Sequence, residues 1–148
     1  MGCKNDKELT RKLQNVMEGA MRKAQLKAYD VVKDFMDTYY TEYTPKEYER
    51  TYQFYKSLVR SEIKKTRTGF ACSIYIDTDS MDYLYHSGSE VMNMINRGFH
   101  ADASMNKGSY QTPYDIGGTA VWDESLEEIE RSKFIINTFA EHFKRNMR

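Results

Sequence analysis

The stretch Val59-Arg60-Ser61-Glu62-Ile63-Lys64-Lys65-Thr66-Arg67-Thr68-Gly69-Phe70-Ala71-Cys72-Ser73-Ile74-Tyr75-Ile76 decides the fold. Val59, Ser61 and Ile63 alternate into a polar turn that carries Gly69. On the far side Phe70, Cys72, Ile74 and Ile76 fall on one face, with Ala71, Ser73 and Tyr75 on the other. Two period-two runs across a short turn predict an antiparallel hairpin over residues 59–78. A third short strand is expected at Asp82–His86. On this hairpin Cys72 reads as a small buried hydrophobe.

Both flanks switch to a helical period. Upstream, Leu9, Leu13, Val16, Met17, Ala20, Ala24, Ala28, Val31, Phe35 and Tyr39 recur at spacings of three and four, with charged residues between them. That apolar stripe predicts one long helix over 6–43, stopped by Pro45, which biases Thr44 away from helical angles. At 1.5 Å per residue it is roughly 50 Å long, beyond the diameter of about 40 Å of a compact chain this size. Either it bends near Gly19 or its stripe continues onto another subunit, and the second is the expectation. Residues 44–58 keep no period and read as a connector. Downstream, Ser89 and Gly98 frame a short helix over 89–98, and 99–118 reads as a long loop. A closing helix over 123–146 has Leu126, Ile129, Ile136, Phe139, Ala140 and Phe143 as its stripe. The fold class is therefore α+β, a single domain over 1–148 by length.

Composition narrows the function. Twelve Tyr and seven Phe beside only two Pro argue against disorder. No run approaches the ~20 apolar residues of a membrane span, and the first residues carry no apolar run of a secretory signal. A reduced, soluble setting is expected from two scattered cysteines, Cys3 and Cys72. The 22 Lys and Arg balance 22 Asp and Glu, yet residues 1–67 sum to +5 and 68–148 to −5. Such a chain suits contacts between identical copies, positive flank to negative flank; the plainer account is solvated helix faces.

Chemistry is sparse. His86, His100 and His142 show no ligand spacing. Asp77, Asp79 and Asp82 form the best metal candidate, but a calcium loop needs Gly sixth and Glu twelfth, where Asp82 and Gly88 stand. Gly117-Gly118 lacks the rest of a phosphate loop. The expectation is no catalytic residue, no metal and no cofactor. Two surfaces remain. Six tyrosines lie between positions 39 and 55, and tyrosine suits interfaces, which makes Tyr39, Tyr43, Tyr48, Arg50, Tyr52 and Tyr55 interface candidates. A tyrosine-lined core edge explains them equally well. Arg60, Lys64, Lys65 and Arg67 on the hairpin are DNA-facing candidates, although edge lysines also block stray strand pairing.

The segment from Tyr43 to Leu58, Tyr-Thr-Pro-Lys-Glu-Tyr-Glu-Arg-Thr-Tyr-Gln-Phe-Tyr-Lys-Ser-Leu, resembles a motif of the tail-completion family of long-tailed bacteriophages, the head–tail joining or neck proteins. Many members carry a similar Tyr-x-Pro-x-x-Tyr-x-Arg-Thr run leading into the first strand. Others have Pro-x-x-Thr-Gly-x-Leu there, whereas here Thr51 is followed by Tyr52. Tyr83 to Gly88 is similar to a second family segment, with Ser87 where an acid often stands. The resemblance implies an α+β subunit of a homo-oligomeric ring, commonly hexameric, in the virion neck, assembled in the host cytoplasm. Such a ring joins head-side adaptor or portal proteins to the tail terminator or tail tube. It leaves a pore through which DNA passes without sequence-specific binding, and it touches no membrane. Two other classes stay open: a small DNA-binding or regulatory protein using Arg60–Arg67, and a metal-dependent enzyme centred on Asp77, Asp79 and Asp82.

Overall fold

A computed structural model of the chain describes residues 5–42, 52–84, 86–96 and 120–148. The fold is α+β and mostly helical. Its elements are α1 (Asp6–Glu42), α2 (Gln53–Lys56), β1 (Leu58–Arg60), β2 (Lys64–Lys65), β3 (Phe70–Ala71), β4 (Ile74–Ile76), a 3-10 turn (Thr78–Ser80), α3 (Gly88–Asn96), α4 (Val121–Ser132) and α5 (Phe134–Met147). No helix among the described residues is long and apolar enough to cross a membrane. The chain packs as two compact units. Unit 1 is Met1–Asp30, Arg60–Ile74 and Ile129–Arg148; unit 2 is Val31–Val59 and Tyr75–Glu128.

Helix α1 runs without interruption for 37 residues, through Gly19. Its buried apolar residues are Val16, Ala20, Ala24, Ala28, Val32, Met36 and Tyr39. All but the last step are four residues, and each such step turns about 40° at 3.6 residues per turn, so the buried stripe winds around the helix. That drift is why Val32 and Met36 are fully buried while Val31 and Phe35, expected in the stripe, are only half-buried.

In unit 1, α5 lies antiparallel along α1. A side-chain carbon at Gly19 would stand 2.8 Å from His142 Nε2, and eight residues on, Lys27 Nζ sits 5.9 Å from the Phe134 ring centre. Alanines at 20, 24 and 28 leave α1 slim on its buried side. The hairpin forms with the expected alternation: Phe70, Cys72 and Ile74 half-buried, Ala71 and Ser73 exposed. It is two short ladders, however, β1 with β4 and β2 with β3. Ser61 N–H donates to Ser73 O at 2.9 Å, and Lys64 faces Ala71. Between these pairs lie Glu62 and Ile63 on one strand and Cys72 alone on the other, which is a β-bulge. The bulge breaks the ladder, and α1 repairs it. Gln25, buried at 8% exposure, donates from Nε2 to both Ser61 O and Ser73 O at 2.9 Å, and Ser73 N–H turns to Ser61 Oγ at 2.8 Å.

In unit 2 the core gathers Val32, Met36, Phe54, Leu58, Met81, Ile95 and Val121. The third strand expected at Asp82–His86 does not form at its described residues. Asp82 N–H instead donates to Gln53 Oε1 at 2.5 Å and Asp82 O accepts from Gln53 Nε2 at 2.8 Å, so a side-chain amide takes the place of a partner strand. Helix α3 starts at Gly88, and its cap is Ser87, not Ser89. Ser87 Oγ accepts from Glu90 N–H at 3.2 Å while Glu90 Oε2 accepts from Ser87 N–H at 2.8 Å, a reciprocal capping box. Gly88 is obligatory, since a side-chain carbon there would stand 1.9 Å from Thr78 O. At the far end of α3, Asn96 Oδ1 accepts from Trp122 N–H and Asp123 N–H at 3.1 and 3.0 Å, capping α4 from outside it.

The closing helix expected over 123–146 is divided in two. Lys133, at φ 52°, adopts the left-handed conformation between α4 and α5, a rare state for a residue with a side chain. Of the expected stripe, Ile129, Phe139, Ala140 and Phe143 are half-buried, whereas Leu126 and Ile136 are exposed, Ile136 at 69%.

Candidate functional site

The connector candidates fall on an aromatic cluster in unit 2. Tyr40 is its hub, with ring centres 5.5 Å from Tyr39, 5.0 Å from Tyr52, 6.4 Å from Phe54 and 5.9 Å from Tyr55. The Tyr39 and Tyr55 contacts are edge-on, at 85° and 78°. Tyr52 lies more nearly face-on at 30°, and both kinds are favoured arrangements. Phe54 and Tyr39 are buried, Tyr40 and Tyr55 half-buried, and Tyr52 is 46% exposed. Lys33 Nζ sits 3.7 Å from the centre of the Tyr55 ring, a cation–π contact. Lys33 and Tyr40 are seven residues apart on α1, two turns along one face. The cluster therefore grades from core at Phe54 and Tyr39 to surface at Tyr52.

Backbone strain marks the surface end. Tyr52 has φ 56° and ψ 24°, the left-handed region that glycine occupies without penalty. Its O accepts from Lys56 N–H at 3.0 Å and so starts α2. Of the six interface candidates, Tyr39, Tyr52 and Tyr55 belong to the cluster, while Tyr43, Tyr48 and Arg50 lie outside the described residues. The structure adds Lys33, Tyr40 and Phe54 to the cluster. The seven-residue spacing of Lys33 and Tyr40 is the signal that points to two of them.

Arg60, Lys64, Lys65 and Arg67 are all exposed on the hairpin of unit 1. Arg60 extends its guanidinium over the Tyr29 ring, 5.2 Å from its centre. The tip lies along α1, where a side-chain carbon at Gly69 would meet Met17 Cε at 3.9 Å.

The acidic turn is built as structure. Asp77 N–H donates to Ser57 O, and Asp77 O accepts from the Ser80 hydroxyl at 2.7 Å. Among the described residues no group of three or more His, Cys, Asp or Glu is placed to hold a metal. Burial pushes the Cys72 thiol up from its ordinary value, opposite to what activates a nucleophile. His86 Nδ1 stands 3.7 Å from Glu90 Oε2, and His142 packs against Gly19. His100 and the Gly117-Gly118 pair lie outside the described residues.

The chain belongs to the YomN family, whose model matches residues 5–145 and so runs through both units. No curated protein and no solved structure matches it.

Proposed function

We propose that the chain is a non-enzymatic structural subunit of a bacteriophage virion. Copies of it form a ring at the neck, between the head-side portal or adaptor proteins and the tail terminator or tube, around a passage for DNA. The observation that carries this is the aromatic cluster built on the segment that resembles the tail-completion motif. Tyr52, Phe54 and Tyr55 pack around Tyr40, and the cluster runs from the buried Phe54 to Tyr52 at 46% exposure, giving the junction a surface suited to a neighbouring subunit.

The experiment is joining. Particles made without the chain are expected to accumulate as filled heads and separate tails, and purified protein should restore joining when added to the mixture. Normal joined particles in its absence would overturn the proposal.

A further inference from the structure

The two units carry opposite charge. Unit 1 holds 16 Lys and Arg against 7 Asp and Glu, a net of +9, and unit 2 holds 6 against 15, a net of −9. Cutting the sequence at residue 67 separates only +5 from −5. The fold sharpens the contrast because α5 and the end of α4, with Arg131, Lys133, Lys144, Arg145 and Arg148, return to unit 1. These charges meet solvent: Lys64, Lys65 and Arg67 are exposed in unit 1, and Asp34, Asp37 and Glu127 in unit 2.

We infer that copies of the chain associate by docking the basic unit 1 of one on the acidic unit 2 of another. The inference rests on the assembly reading above and names its contact. Unit 1 against unit 1, or unit 2 against unit 2, sets like charges together, and only the mixed pairing is complementary. Nucleic acid is the other polyanion that unit 1 fits. It would use one unit only, while the −9 of unit 2 repels the same phosphates and a net charge of zero gives no long-range attraction. A second copy satisfies both units, and a chain of zero net charge is prone to association.

Light scattering across a salt series tests the contact. The Debye length shrinks from about 10 Å at 0.1 M to about 3 Å at 1 M salt, and the apparent dissociation constant between copies is expected to rise about tenfold or more. Lys64→Glu with Lys65→Glu and Arg67→Glu takes unit 1 to +3, and Asp34→Lys with Asp37→Lys and Glu127→Lys takes unit 2 to −3. Each triple variant, checked for native helix content by circular dichroism, should fall to the monomer mass by itself. An equal mixture of the two should regain association, because the unchanged unit 1 of one variant, at +9, meets the unchanged unit 2 of the other, at −9. An oligomer indifferent to salt and to both triple changes overturns the charged contact and leaves the assembly reading standing. A wild-type monomer at every salt concentration also overturns the contact, and particle joining then decides the wider reading separately. Failure of the mixture to recover, together with loss of salt-sensitive binding to a double-stranded DNA probe in the unit 1 variant, overturns the inference in favour of nucleic acid.

Discussion

Replacing Gln25 by leucine is the sharpest probe of how α1 holds the hairpin. The change keeps a side chain of similar reach and removes one amide, whose Nε2 serves both Ser61 O and Ser73 O at 2.9 Å. Ser73 O retains the Ser61 N–H, so its loss stands at the low end of the ~0.5–1.5 kcal/mol net value of a hydrogen bond. Ser61 O loses its Gln25 donor and faces an apolar side chain instead, and a buried acceptor stranded that way costs ~1–3 kcal/mol. The site is part-buried, so the sum is about 2 kcal/mol. Urea denaturation measures it, and amide exchange locates it. Protection should fall first at Lys64, Lys65, Phe70 and Ala71, the ladder beyond the bulge. Gln25→Glu adds a sign. A carboxylate cannot donate to two carbonyls, so the fold favours the protonated acid and raises its pKa. The folded state then binds the extra proton, and stability falls as pH rises through that value. A loss below about 0.5 kcal/mol for Gln25→Leu, or exchange unchanged in the hairpin, would refute the reasoning.

Three further outcomes are expected. Tyr52→Gly should be more stable than Tyr52→Ala by about 1 kcal/mol, the reverse of the usual order, because the left-handed backbone penalises any side chain; the same or opposite order in urea would place Tyr52 outside that conformation. Gly88→Ala should cost more than ~2 kcal/mol, since the new carbon meets the Thr78 carbonyl, which is backbone and cannot swing aside; a thermal melt matching the parent chain would contradict the contact. The Glu90 carboxyl is held below its ordinary value of 4.5, first by the Ser87 backbone N–H, then by the Ser87 hydroxyl, with His86 adding to it. Its folded value is depressed, so its contribution to α3 is present above the unfolded value and is lost as pH falls through the folded one; Ser87→Ala removes the hydroxyl and keeps the backbone N–H, so the carboxyl titration in NMR should move only part of the way back up, and an unchanged titration would count against the hydroxyl's share in the capping box.

The parts of the fold that sequence reveals are those governed by a period. The alternation from Phe70 to Ile76 and the stripe from Val16 to Ala28 are each visible residue by residue. The bulge is not visible, because side-chain alternation passes through Glu62 and Ile63 unbroken and only cross-strand hydrogen bonds reveal the extra residue. Gln25 is hidden for the same reason, its partners being backbone atoms 36 and 48 positions away. The Lys133 break carries no glycine or proline to announce it. By contrast Ser87-x-x-Glu90 is a legible capping box, two residues ahead of the cap expected at Ser89. At the candidate site, the tyrosine density marks the right stretch. Its grading from the buried Phe54 to the exposed Tyr52 depends on which face of α1 turns inward.

The most direct test of the neck assignment is where the chain sits in a finished particle. With a gold-binding tag on the chain, electron microscopy is expected to show label confined to the junction between head and tail. Label along the tail, at its tip or on the capsid, or particles that carry none, would contradict the account.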